Sequence, residues 1–204
     1  MARELTEIIK KRYNRTALFY DWMDRMIPDE WRRRVWQEAR GRVLEVGVGT
    51  GANFPFYPPG CRMTAIDFSP GMLARARQKL HLAGAPVDLK EMDVQHLEFG
   101  DATFDTVVAT CVFCTVPDPV QGLKEVRRVC RPDGRIILLE HVRSEHWFLG
   151  PVMDALNPLV LYLIGSNINR RTVANVRMAG IEIDREEDLA GKIVKLIVGH
   201  PREI

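Results

Sequence analysis

The sequence's strongest chemical signal is LEVGVGTG, residues 44–51, in which an apolar stretch runs into glycines. Gly47, Gly49 and Gly51 permit a tight turn and a close approach of backbone to ligand that a Cβ would prevent. With Ala52 filling the last small position, the same spacing satisfies a dinucleotide turn, so the glycines alone also fit a nicotinamide enzyme. Asp67 ends the next apolar run, where a carboxylate can accept hydrogen bonds from both ribose hydroxyls of a nucleoside. Its plain structural alternative is a negative charge at a helix N-terminus. Glu45 lies inside the apolar run and requires a partner, because an unpaired buried charge is costly. His141 ends a later run, and its ordinary pKa of about 6.5 suits it to accept a proton at neutral pH; a hydrogen-bonded structural histidine fits equally.

Four cysteines are present, Cys61, Cys111, Cys114 and Cys130. Cys111 and Cys114 have redox or zinc spacing, but no second ligand pair stands at motif distance, so the expectation is packed or pocket-lining thiols and no metal.

The elements that must position these groups follow from periodicity. Residues 42–49, 62–69, 87–93, 104–113 and 135–142 read as strands, and 70–84 and 118–134 as helices. Pro70 suits a first turn, and Asp118 with Pro119 forms a start signal. Three prolines within 55–59 leave room for only a very short helix after the glycines. Residues 181–188 and 192–200 read as two last strands, antiparallel neighbours because their link is too short for a parallel crossover. Strands alternating with helices imply a doubly wound α/β fold, a mostly parallel seven-stranded sheet covered on both faces.

Before this lies an amphipathic helical arm. Leu5, Ile9, Tyr13, Thr16, Tyr20, Met23 and Ile27 recur at helical spacing, with Lys10, Lys11, Arg12 and Arg15 on much of the remaining surface. Pro28 ends or kinks it, and residues 31–40 read as a second short helix. Residues 1–40 hold ten Lys/Arg against seven Asp/Glu, while the whole chain is only +2, which gives no reason to expect nucleic-acid binding. The expected organisation is an arm or lid over 1–40 and a ligand-binding domain over 41–204. The interrupted hydrophobicity of the first residues is unlike a signal peptide, and the expected location is cytoplasmic, peripheral to the membrane if the arm lies in the headgroup region. Residues 147–165 carry one charge, Asp154, and are too interrupted by Pro151, Asn157 and Pro158 to read as a simple span. Ordinary packing on the domain is the alternative for both segments.

Five blocks in order, LEVGVGTG, AIDFSPGML (65–73), EMDVQHLEF (91–99), FDTVVATCVF (104–113) and LKEVRRVCRPDGRIILLEH (123–141), resemble the class I methyltransferases. The resemblance is to the ubiquinone and menaquinone biosynthesis type, with bacterial phospholipid N-methyltransferases and membrane-associated thiol S-methyltransferases nearby. It implies a Rossmann-like fold with S-adenosylmethionine as cofactor. By resemblance, Asp67 would hold the ribose, Phe68 and Met72 would pack on the adenine, and Asp93 with the Val94 backbone would read its edge. Glu45 would help orient the methionine portion, and Thr110 would stand at the cofactor site. Tyr13 and Tyr20 of the arm would sit near cofactor and acceptor, beside His141 as a base. The acceptor implied is a small amphiphilic molecule, first a phospholipid amine as in phosphatidylethanolamine N-methylation, next a lipophilic thiol, then a quinone precursor. A protein that binds the cofactor without turnover is the alternative of a different class. The basic arm adds an anionic membrane surface as an expected partner.

Overall fold

The computed structural model describes residues 27–202. The arm positions 2–26, with Tyr13 and Tyr20, lie outside the described residues. Seven strands, β1 Arg42–Val46, β2 Arg62–Asp67, β3 Val87–Glu91, β4 Phe104–Thr110, β5 Cys130–His141, β6 Ile181–Ala190 and β7 Val194–Pro201, form one sheet in the order β3-β2-β1-β4-β5-β7-β6. β1 runs parallel to β2 and β4, and β5 parallel to β4. β7 is antiparallel to both β5 and β6. The short link between β6 and β7 therefore has the consequence expected of it.

Alternate residues of the central strands supply two cores. Leu44, Val46, Val107, Ala109, Ile136 and Leu138 face one layer, and Val43, Val108, Ile137 and Leu139 face the other. This period of two is that of a strand buried on both faces. Strand order reverses between β1 and β4, and ligands of open α/β sheets bind beyond the carboxyl ends at such a point.

The helices are α1 Asp29–Trp36, α2 Pro70–Lys79, α3 Pro119–Val129, α4 Leu149–Ile164 and α5 Thr172–Met178. Ser69 caps α2 by accepting from Met72 N (3.2 Å), and Asp118 caps α3 by accepting from Gln121 N (3.0 Å). Several ends differ from the sequence expectation. α3 stops at Val129 rather than near Gly134, and β5 begins at Cys130, because Pro132 pushes the residue before it toward extended backbone. α2 stops at Lys79 and continues as a 3-10 turn, Leu80–Leu82. α1 starts directly after Pro28 and ends at Trp36, short of residue 40. The proline-rich segment yields one 3-10 turn, Phe54–Phe56. No helix among the described residues is long and apolar enough to cross a membrane.

Candidate functional site

A cavity of about 620 Å³ opens beyond the carboxyl ends of β1, β2, β4 and β5, at the reversal of strand order. Its size falls within the range of small-molecule and cofactor sites. Gly47 and Gly49 line it, and so do Asp67, Phe68, Met72, Asp93, Val94, Thr110 and His141. The tertiary structure thus brings nine of the expected site residues to one wall system.

The glycine turn is shaped for close approach. Gly49 has φ +55°, and a Cβ there would meet nothing within 4 Å, so it would project into open cavity space. Gly49 N also donates to Asp67 Oδ2 (2.9 Å), while Ser69 N donates to Asp67 Oδ1 (2.9 Å). Two backbone donors fix the carboxylate at the end of β2 and leave further lone pairs on each oxygen for hydroxyl donors. Burial pushes the Asp67 carboxyl up to about 6 against these two hydrogen bonds, which act to lower it. Gly51 departs from expectation: it does not line the cavity, and a Cβ on it would strike the Phe54 ring at 2.6 Å. Its task is to let the chain fold back over Phe54.

Glu45 stands one residue behind the cavity wall and reaches it through Asn53. It is fully buried and absent from the cavity lining. Asn53 Nδ2 donates to Glu45 Oε1 (2.6 Å), and the Tyr57 hydroxyl donates to Glu45 Oε2. Asn53 Nδ2 also lies 3.3 Å from the Thr110 hydroxyl, while Arg32 donates to Asn53 Oδ1. The Asn53 amide is thereby held between a buried carboxylate and a buried guanidinium, with Asn53 and Arg32 both on the cavity wall. The sequence expectation for Glu45 contained the need for a partner and not the partner's identity. Neither Asn53 nor Arg32 stands in a pattern that announces it.

On the adjacent wall Gln95 was also missed. Its Nε2 donates to Asp93 Oδ2 (2.9 Å) and its backbone N to Asp93 Oδ1 (2.9 Å), and its Oε1 accepts from Asp118 N (3.0 Å). Gln95 therefore ties the carboxylate to the start of α3.

The acceptor end is formed by the β4 and β5 termini. Cys111, Val112 and Cys114 line the cavity, and Cys111 adopts φ +54°. No disulfide joins the four described cysteines. His141 lines the same end, and burial holds its imidazole below its ordinary pKa, so the ring is neutral at pH 7. Glu140 points to the other face of β5, as strand alternation requires, and does not line the cavity. It accepts from Val112 N (2.9 Å) and Phe113 N (3.2 Å), fixing the loop from behind, and burial pushes it up to about 7. Arg143 is likewise outside the cavity, paired with Asp154 at 2.8 Å. Residues far along the chain complete this end: Val160, Ser166, Ile168 and Ile193.

What the arrangement can do is bind a nucleoside-bearing ligand along β1 and β2 and present its other end to an apolar chamber holding one neutral imidazole. Buried Asp67, with lone pairs to spare at the wall, and the open approach over Gly49 fit the ribose and backbone contacts of S-adenosylmethionine.

Comparison with known proteins gives the same fold and chemistry. Residues 44–138 match the family described as "Methyltransferase domain". A phosphatidylethanolamine N-methyltransferase of Cereibacter sphaeroides is 41% identical over 155 residues, covering 74% of this chain and 76% of that protein. Thiol S-methyltransferase TMT1A of Homo sapiens is 39% identical over 120 residues, 55% of this chain and 49% of its own length, so the chain spans about half of that relative. The solved structure of a SAM-dependent methyltransferase from Thermotoga maritima superposes with a TM-score of 0.68 over 92% of this chain and 97% of that one, at 19% identity.

Proposed function

The chain belongs to the methyltransferase-domain family and is an S-adenosylmethionine-dependent methyltransferase, and from that premise we propose that its acceptor is the amine of phosphatidylethanolamine. The observation that carries this reading is the likeness to a phosphatidylethanolamine N-methyltransferase over about three quarters of both chains. The chemistry of the wall is compatible with it: the acceptor end is largely apolar and carries the His141 imidazole, whose pKa burial lowers.

In this reading the Asp67 carboxylate holds the ribose, Phe68 and Met72 flank the adenine, and Asp93 and Val94 face its edge. Thr110, held by Asn53, and the cation of Arg32 stand at the methionine end. When bound, S-adenosylmethionine supplies an electrophilic methyl group on a sulfonium, whose departure requires no protonation. The chain's residues then have two tasks. Holding the amine in line and excluding water contributes up to about 7–11 kcal/mol in favourable cases. An amine must also arrive without its proton, and neutral His141 can take it. Tyr13 and Tyr20 belong to an arm that would close over this end and dock on an anionic membrane surface, which makes the protein peripheral to the membrane.

The test is transfer of labelled methyl from S-adenosylmethionine to an extract of membrane lipids, with a panel of lipophilic thiols and a quinone precursor in parallel. Label in phosphatidylethanolamine derivatives is the expected result. Label confined to the thiols would move the assignment to S-methylation, in line with the resemblance to the human thiol enzyme. Binding of the cofactor without any transfer would leave a cofactor-binding protein.

A further inference from the structure

We propose that α4 docks in the plane of a lipid bilayer through its outward face and delivers the lipid acceptor to the adjoining cavity. The residues that carry this are Pro151, Ala155, Pro158, Leu159 and Tyr162, which recur at helical spacing on one side of α4 and are all exposed. Leu159 is 56% exposed and Tyr162 72%, with Leu156 at 48% on the flank. The inward side is apolar as well, through Gly150, Met153 and Val160. Apart from Asp154 and Asn157, the latter bonded to Asn167 and Ile168, α4 is apolar all round; such a helix belongs in a core or in lipid, and among the described residues α4 has core on only one side. Its 16 residues are too few to span a bilayer, which leaves the in-plane orientation.

Four further observations fit lipid rather than a protein partner. Trp147 and Phe148, 82% and 60% exposed, precede the helix, and Tyr162 stands near its other end, a placement of aromatic rings suited to the headgroup boundary. The one charge of the segment, Asp154, is paired with Arg143 at 2.8 Å and accepts a hydrogen bond from Asn169 at 3.1 Å. Exposed Lys192 and Glu145 share a groove with Phe148 and Leu149 and set a cation and an anion at headgroup level. Finally, Val160 on the inward side of α4 and Ile168 beyond it line the cavity, so the helix whose outer face docks also walls the acceptor end. Delivery rests on the lipid-acceptor reading above, whereas docking itself does not.

The test uses the full chain and vesicles of phosphatidylcholine and phosphatidylethanolamine without anionic lipid. Co-sedimentation is expected for the wild type and to persist at high salt, because apolar insertion is not screened. Leu156→Glu with Leu159→Glu should weaken it at least tenfold while leaving cofactor affinity and thermal midpoint unchanged, both positions being exposed. Brominated lipids should quench tryptophan emission, and Trp147→Phe should remove most of that quenching. Unchanged sedimentation in the double variant overturns the proposal. So does a lowered thermal midpoint with unchanged sedimentation, since the face would then be covered by another part of the chain. Vesicle binding without label transfer supports docking and removes the phosphatidylethanolamine reading; transfer to short-chain phosphatidylethanolamine with no vesicle binding does the reverse.

Discussion

Asn53 donates to the buried carboxylate of Glu45 at 2.6 Å, and this contact, between residues eight apart, joins the first strand to the wall of the cofactor site. Glu45 has no exposure, so its charge is stabilised only by groups the fold places around it, the Asn53 amide and the Tyr57 hydroxyl among them. The tie is mutual: burial and the neighbouring carboxylate push the Tyr57 phenol well above its ordinary pKa, so it remains a donor.

Asn53→Ala should therefore act on both stability and binding. Removing one donor from a fully buried carboxylate costs about 1–3 kcal/mol. Denaturant unfolding should show that loss, and calorimetry with S-adenosylmethionine should show weaker affinity because Thr110 and Arg32 lose their shared partner. Unchanged affinity would mean the amide serves only the core.

Asp67 gives a pH dependence with a defined sign. Its carboxyl titrates near 6 in the fold against an ordinary value of 3.8, so the folded ligand-free protein binds this proton more tightly than the unfolded chain. The stability this group contributes is full below about pH 4 and is lost as pH rises through about 6. Asp67→Asn should accordingly stabilise the ligand-free protein at pH 7, by a margin that shrinks toward pH 4. Binding has the opposite trend, because the ionised form is the better acceptor for ribose hydroxyls. Affinity should fall about tenfold per pH unit below 6 and, in Asp67→Asn, be weaker by about 1.5–3 kcal/mol and flat over that window.

Gly49→Ala separates the turn from the site. At φ +55° the substitution strains the backbone by about 1–2 kcal/mol, yet its Cβ meets no protein atom. A folded protein by circular dichroism with at least tenfold weaker cofactor binding is expected. Retained affinity would show that no ligand passes over this residue.

Thiol reactivity should be confined to one cysteine. Cys111 is half-buried and lines the cavity, whereas Cys61, Cys114 and Cys130 are buried. Burial raises all three of those thiols, Cys114 and Cys130 to about 12, which depletes the reactive thiolate. Mass spectrometry after brief maleimide treatment of the native protein should find one adduct, at Cys111. Modification at Cys114 would mean that the loop behind which Glu140 sits opens readily.

The sequence by itself determined the alternation of strands and helices, the glycine turn, Asp67 at the end of β2 and the antiparallel last pair. Each depends on groups close in the chain: a period of two or 3.6, a cap before a proline, a link too short for a crossover. Five ordered blocks further made the cofactor legible. Tertiary structure decided what depends on distant groups meeting. Asn53 connects to Arg32, 21 positions away, and to Thr110, 57 positions away, and no local pattern encodes either pairing. Strand alternation required Glu140 and His141 to point to opposite faces, but only the packing of α3 and α5 on one of them set His141 into the cavity and Glu140 behind its loop. For α4 the sequence was ambiguous in principle, since an apolar helix has one composition whether its partner is a core or a bilayer. Only the fold separates its two sides, burying Met153 and leaving Leu156 and Leu159 exposed.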